Sequence, residues 1–125
     1  MRRVLIVEDE VLVAALLEGM LRELGCEVAA LSGNLSQALE VAATANFDFA
    51  VLDINIDGGP SYPVADLLIQ RGVPMMFSTG YSTKRLPDRH ADAVILHKPF
   101  SLEQLQAALA RLPVPPRPSV DPRTR

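Results

Sequence analysis

Short apolar runs alternate along this chain with longer segments in which apolar residues recur about every 3.6 positions. The first run, Val4-Leu5-Ile6-Val7, is continuously apolar, as expected of a strand that is buried on both faces of a sheet. Four similar runs follow, at Val28 to Leu31, Phe49 to Leu52, Met75 to Phe77 and Ala93 to Leu96. The pattern therefore predicts five strands.

The segments between these runs predict helices with clear start and stop signals. Asn34 and Ser101 are suitable N-caps, each followed three residues later by a glutamine, and Gly25 is placed to end the first helix. Segment 82–92 is the exception, because Pro87 lies in its middle and its apolar periodicity is weak. We expect the fourth helix there to be short or irregular.

Strands that alternate with helices pair in parallel through right-handed crossovers, so that helices cover both faces of the sheet. The sequence thus predicts an α/β fold. Ligands of such open sheets bind beyond the carboxyl ends of the strands. The residues that follow each strand are therefore the ones to search for chemistry.

Composition changes this picture mainly at the C-terminal end. The chain has 125 residues, and five of its ten prolines fall within the last thirteen. We expect one folded domain over residues 1–112 and a disordered, Pro/Arg-rich tail over 113–125. The net charge is −3, and the tail has three arginines against Asp121, which leaves −5 on the body. A body this acidic is a poor binder of nucleic acid.

The single cysteine, Cys26, excludes an internal disulfide and a multi-cysteine zinc site, and we expect it to be a small apolar core residue. The apolar runs are too short to cross a membrane. These features favour a soluble cytoplasmic protein that binds neither membrane nor nucleic acid. We expect His90 to lie on the surface.

Polar residues follow four of the predicted strands. Glu8 and Asp9 follow the first, Asp53 the third, Thr79 the fourth and Lys98 the fifth. Neighbouring strands lie ~4.8 Å apart, so these side chains can converge. Converging carboxylates repel one another, and a hard cation such as Mg²⁺ relieves the repulsion. With a lysine and a hydroxyl beside them, they are the groups that phosphoryl transfer requires.

The sequence resembles a receiver domain of the two-component response regulator family. The resemblance rests on residues 4–10 (Val-Leu-Ile-Val-Glu-Asp-Glu), 51–55 (Val-Leu-Asp-Ile-Asn) and 98–100 (Lys-Pro-Phe), and it extends from residue 3 to residue 112. It implies a flavodoxin-like, doubly wound, five-stranded parallel sheet with strand order 2-1-3-4-5.

The resemblance also implies a role for each strand-end residue. Asp53 would accept a phosphoryl group from a sensor histidine kinase. Asp9, Asp53 and the backbone carbonyl of Asn55 would bind Mg²⁺, and Glu8 would assist through water.

The remaining roles concern the phosphoryl group after transfer. Thr79 would be the switch hydroxyl and Lys98 the phosphoryl contact, with a cis peptide bond before Pro99. Tyr81 would control access to the phosphoryl site.

Two features of the sequence differ from most receiver domains and indicate a subgroup of the family. Residues 77–81 (Phe-Ser-Thr-Gly-Tyr) resemble the Phe-Ala-Thr-Gly-Tyr receivers, with Ser78 in place of alanine, which implies a stand-alone regulator and a kinase of the HWE or related type. Ile95 stands where most receivers have an aromatic switch residue. Coupling must then take another route, for which segment 82–92 is our hypothesis.

Three functions remain open at this point. The first is a stand-alone receiver that is not an enzyme beyond its own phosphorylation and dephosphorylation, and that signals by partner binding, by relay to a phosphotransfer or target protein, or as a phosphate sink. The second is an aspartyl-phosphate phosphatase, although that class usually opens with Asp-x-Asp and here Asn55 follows Asp53 at that spacing. The third is a pseudo-receiver adaptor that needs no phosphorylation.

Overall fold

All five apolar runs form strands of one sheet in the computed structural model, which describes residues 2–80 and 86–113. The elements in chain order are β1 (Arg2–Val7), α1 (Val11–Glu23), β2 (Cys26–Ser32), α2 (Leu35–Thr44), β3 (Phe49–Asp53), β4 (Asn55–Ile56), β5 (Gly59–Pro60), α3 (Tyr62–Gln70), β6 (Met75–Thr79), β7 (Val94–His97) and α4 (Leu102–Arg111).

The main sheet is entirely parallel, with the strand order β2-β1-β3-β6-β7. This arrangement confirms the predicted flavodoxin-like fold and its order 2-1-3-4-5, since β6 and β7 are the fourth and fifth strands of that sheet. The short strands β4 and β5 form a separate antiparallel hairpin that closes through Gly58, whose φ of 101° suits glycine.

Each face of the sheet carries its own core because side chains alternate along the strands. One core packs β1, β3 and β6 against α1 and α4, through residues that include Leu17, Leu21, Leu105 and Leu109. The other packs the same strands against α2 and α3, through residues that include Ala38, Ala42, Val64 and Leu68. Cys26 lies in the first core, as expected.

The predicted caps hold two helices at the carboxyl edge of the sheet. Asn34 Oδ1 accepts a hydrogen bond of 2.8 Å from the Gln37 backbone N–H at the start of α2. At the start of α4, Ser101 Oγ accepts from the Gln104 backbone N–H at 3.1 Å, and Gln104 Oε1 accepts from the Ser101 N–H at 2.8 Å. This capping box fixes α4 shortly after Lys98.

A single turn of 3₁₀ helix, Asp88–His90, stands in the described part of the β6–β7 connection, where we expected a short or irregular helix. The prediction that His90 is a surface residue is wrong, because only 2% of it is exposed. Its ring stacks on Tyr62 with centroids 5.8 Å apart and meets Phe77 edge-on at 5.5 Å. The turn directs this ring inward, which no periodicity in so short an element could reveal.

Tyr81 and residues 82–85 lie outside the described residues, as does the predicted tail apart from Pro113. Within the ranges that the structure describes, no helix has the length and apolar character needed to cross a membrane.

Candidate functional site

Two buried carboxylates lie side by side at the carboxyl edge of the sheet. Val7 and Leu52 are in register on β1 and β3, so the next residues, Glu8 and Asp53, are neighbours. Only 4% of Glu8 and 8% of Asp53 is exposed. Two negative charges are therefore held close together in a largely dehydrated place.

The side chain of Lys98 joins these two carboxylates. Its ammonium Nζ lies 2.9 Å from Glu8 Oε1 and 3.1 Å from Asp53 Oδ2. The Lys98 backbone N–H donates to the Thr79 carbonyl at 2.8 Å, and the peptide bond between Lys98 and Pro99 is cis. Residues that end β3 and β6 or directly follow β1 and β7 thus meet at this edge of the sheet.

Burial and ion pairing shift the pKa values of Glu8 and Lys98 in opposite directions. Burial raises the pKa of Glu8, and the hydrogen bond from Lys98 opposes that shift only in part. For Lys98, burial lowers the pKa, but the hydrogen bond to Glu8 and the charge of Asp53 outweigh it, so that the pKa is raised. Lys98 is therefore a fixed positive charge at neutral pH.

A cleft of about 420 Å³ opens above the cluster. It is lined by Asp9, Glu10, Asp53, Asn55, Gly80 and Lys98. The Asn55 backbone N–H donates to Asp53 Oδ1 at 3.3 Å, so each oxygen of Asp53 contacts a donor. The cleft is large enough for a hydrated cation together with a phosphoryl group.

The donors around the cleft fit Mg²⁺. Carboxylate oxygens of Glu8, Asp9 and Glu10 lie within 4.8 Å of one another, and Asp53 borders the same space. Hard oxygen ligands of this kind, with room left for water, are what Mg²⁺ requires.

The sequence interpretation missed Glu10 as part of this cluster. Its backbone N–H donates to Glu8 Oε2 at 3.1 Å, and its carboxylate borders the cleft. The signal was the third acidic residue in an unbroken row, of which only two were assigned to the site.

Of the other two predicted residues, Thr79 lies close to the cluster and Ile95 lies away from it. Thr79 is buried at the end of β6, in register with His97. Ile95 lies on the edge strand β7 and pairs with Phe77, two residues before Thr79 on β6, so it is further from the carboxyl edge of the sheet.

The comparisons with known proteins cover nearly the whole chain. The family described as "response regulator receiver domain" matches residues 4–110. The transcriptional regulatory protein PdtaR of Mycobacterium tuberculosis is 34% identical over 112 residues, which are 86% of this chain. The chain spans only 55% of the length of PdtaR.

Solved structures match over similar stretches. SdrG from Sphingomonas melonis is 37% identical, with a TM-score of 0.79 and coverage of 88% of this chain and 94% of SdrG. A BeF₃-activated conformation of SdrG matches with a TM-score of 0.74, covering 86% of this chain and 92% of that one.

A third relative was solved with a metal. The receiver domain of the sensor histidine kinase PA1611 from Pseudomonas aeruginosa has a magnesium ion coordinated in its active-site cleft. It is 28% identical, with a TM-score of 0.75 and coverage of 88% of this chain and 95% of that one. Sequence and fold agree over the same stretch, and the chain accordingly belongs to the response regulator receiver domain family of two-component signalling.

Proposed function

We propose that this chain accepts a phosphoryl group on Asp53 from a sensor histidine kinase in a Mg²⁺-dependent reaction. Receiver domains are phosphorylated by histidine kinases. The observation that carries the proposal is the Lys98 ammonium, which contacts Asp53 Oδ2 at 3.1 Å beside an acidic cleft. A nucleophilic carboxylate, a fixed cation and metal-ligating oxygens are the groups that phosphoryl transfer needs.

Asp53 acts as the nucleophile. The Asn55 N–H and the Lys98 ammonium hold its two oxygens in place, which reduces the cost of ordering them for attack. A carboxylate oxygen forms a bond to phosphorus as the phosphorus–nitrogen bond of the phosphohistidine breaks. The electron pair of that bond leaves with the imidazole of the kinase.

The acidic residues hold the metal. Asp9, Asp53 and the backbone carbonyl of Asn55 would bind Mg²⁺, with Glu8 assisting through water. Bound Mg²⁺ supplies positive charge that offsets the repulsion between the carboxylates and the phosphoryl oxygens. The exposed position of Asp9 at the cleft leaves it free to approach the ion from the solvent side.

Lys98 and Thr79 act on the product. Lys98 contacts the phosphoryl group, and the Thr79 hydroxyl moves toward it as the switch. The hydrogen bond from the Lys98 N–H to the Thr79 carbonyl ties the two residues together. Tyr81 controls access to the phosphoryl group in this proposal.

The Phe-Ser-Thr-Gly-Tyr motif at residues 77–81 supports membership of the Phe-Ala-Thr-Gly-Tyr receivers and a kinase of the HWE or related type. Val11, Leu12 and Leu16 are large, exposed apolar residues at the start of α1, directly after the acidic cluster. They offer the kinase a contact surface beside Asp53. The signal then passes by phosphorylation-dependent partner binding, by relay or by a phosphate sink.

Incubation with acetyl phosphate and Mg²⁺ tests this function. We expect one phosphoryl group per chain by intact mass, lost slowly, and none when Mg²⁺ is chelated. Asp53→Asn should take up none, whereas Asp57→Asn, on the neighbouring exposed turn, should behave as the wild type. Continuous release of phosphate over many turnovers would favour the phosphatase instead, and no uptake at all would favour the adaptor.

A further inference from the structure

Ser78, the residue before Thr79 on β6, has a buried hydroxyl that has no part in the proposed phosphoryl transfer. It is 2% exposed, and its Oγ has no hydrogen-bond partner among the residues that the structure describes. A buried hydroxyl without a partner has lost its hydrogen bonds to water, and no hydrogen bond within the protein replaces them. The resting protein therefore bears a cost at this position that an alanine would avoid.

The position of Ser78 on β6 directs its side chain to the face that holds the phosphoacceptor. Met76, two residues earlier, packs in the same core as Val51 of β3. Side chains alternate along a strand, so Ser78 faces the same side as Asp53, its partner in the β3–β6 register.

The side chain of Lys98 crosses the carboxyl end of β6, the strand that carries Ser78. Its backbone N–H is bonded to the carbonyl of Thr79 at the end of β6, while its ammonium reaches Asp53 on β3 and Glu8 beyond it. Since β6 lies between β7 and β3, the aliphatic part of Lys98 must cross the end of β6, one residue beyond Ser78.

Phosphorylation changes what the ammonium contacts. It has three N–H donors, and in the resting state two of its contacts are the carboxylates of Glu8 and Asp53. A phosphoryl group on Asp53 would add negative charge there and would compete with Glu8 for the ammonium. The donor that Glu8 releases could then bond a phosphoryl oxygen or another acceptor close to the ends of β3 and β6.

We propose that Ser78 is a positioning residue for the phosphorylated state, in which its hydroxyl accepts a hydrogen bond from the Lys98 ammonium. The bond holds Lys98 on the phosphoryl group of Asp53 after the contact with Glu8 has opened. This inference rests on the proposed phosphorylation of Asp53 and names a residue that stabilises its product.

The test compares Ser78→Ala with Ser61→Ala, a matched control. Ser61 is also fully buried and its Oγ also lacks a partner in the described residues, but it lies at the start of α3. Beryllofluoride with Mg²⁺ mimics the phosphoryl group, and its affinity is measured by titration. We expect Ser78→Ala to bind it about fivefold more weakly, as the loss of one hydrogen bond predicts, and Ser61→Ala to bind as the wild type.

Denaturant unfolding without beryllofluoride supplies the second measurement. Ser78→Ala should be as stable as the wild type or more stable, because the substitution removes an unpaired buried hydroxyl. A serine with a purely structural role would not weaken the activated state while leaving the resting state intact.

An affinity of Ser78→Ala within about twofold of the wild type would overturn the inference, as would an equal loss in Ser61→Ala. If the wild-type protein binds beryllofluoride and Ser78→Ala binds it equally well, the role of Ser78 is contradicted while the phosphorylation of Asp53 is not. Failure of the wild-type protein to bind beryllofluoride would remove the proposed function and this inference together.

Discussion

The Glu8 carboxylate is almost fully buried, with the Lys98 ammonium at 2.9 Å as its neighbouring cation. Burial raises the pKa of Glu8 above its ordinary value of 4.5, and pairing with Lys98 does not fully offset that shift. The folded state therefore binds the Glu8 proton more tightly than the unfolded state. The resulting stability is present at low pH and is lost as the pH rises through the raised pKa.

Glu8→Gln should therefore stabilise the protein at neutral pH. The amide is neutral and its oxygen can still accept from Lys98, so we expect a gain of about 1 kcal/mol in the free energy of unfolding at pH 7. The gain should vanish at about pH 3.5, where the wild-type carboxyl is protonated in both states. Urea unfolding across this pH range measures it.

Glu10→Gln is the matched control, because the Glu10 carboxylate is exposed and hydrated. It should show no comparable gain. A Glu8→Gln variant less stable than the wild type at pH 7 would mean that pairing with Lys98, and not burial, dominates at Glu8.

Glu8 and Asp9 could be recognised from the sequence as an acidic pair, but their different burial could not be predicted. Glu8 continues the alternation of β1 and faces the core side of Ile6, whereas Asp9 has left the sheet and is exposed. A one-residue difference at a strand end therefore separates a buried anion from a solvent-facing one. The contact between Glu8 and Lys98 depends on the placement of β7, which no local pattern specifies.

At the scale of elements, the 3₁₀ turn Asp88–His90 is fastened to α3 by two different kinds of contact. Arg89 makes two exposed hydrogen bonds to the Asp66 carboxylate, at 2.8 and 3.1 Å, and these hold the pKa of Asp66 below its ordinary value. His90 is buried against Tyr62, with its Nε2 2.9 Å from Asp66 Oδ1. Because exposed ion pairs contribute little, the buried ring should provide most of the attachment.

His90→Ala should consequently destabilise the protein by about 2 to 3 kcal/mol, through the cavity left between Tyr62 and Phe77. His97→Ala is the control, because His97 is exposed, and its effect should stay within roughly 0.5 kcal/mol. Both are measured by urea unfolding at neutral pH. Equal effects of the two substitutions would contradict the buried-ring attachment.

Most elements could be predicted because their signals are local. The five apolar runs, the Asn34 cap and the Ser101–Gln104 capping box all appear where the pattern places them. The strand ends differ by one or two residues, because β3 and β6 continue into the polar Asp53 and Thr79. The inward side of His90 could not be predicted, since it depends on α3 and β6 rather than on its own neighbours.

At the scale of the whole molecule, the groups proposed for chemistry lie at one edge of the sheet while the two cores lie along its faces. The carboxyl ends of β1, β3 and β6 and the residue after β7 converge there because all the strand pairings of the main sheet are parallel. Parallel pairing was inferred from the alternation of strands and helices, so the convergence could be predicted. Its distances could not, because they depend on twist and register.

The measurement that tests the central claim most directly is chemical mapping of the phosphorylated residue. The protein is phosphorylated with acetyl phosphate and Mg²⁺, reduced with borohydride, which converts an aspartyl phosphate to homoserine, and digested for peptide mass spectrometry. We predict homoserine at position 53 and at no other aspartate, and none in Asp53→Asn. Homoserine at Asp9 or Asp57, or a stable phosphoryl group that persists in Asp53→Asn, would contradict the assignment of Asp53 as the phosphoacceptor.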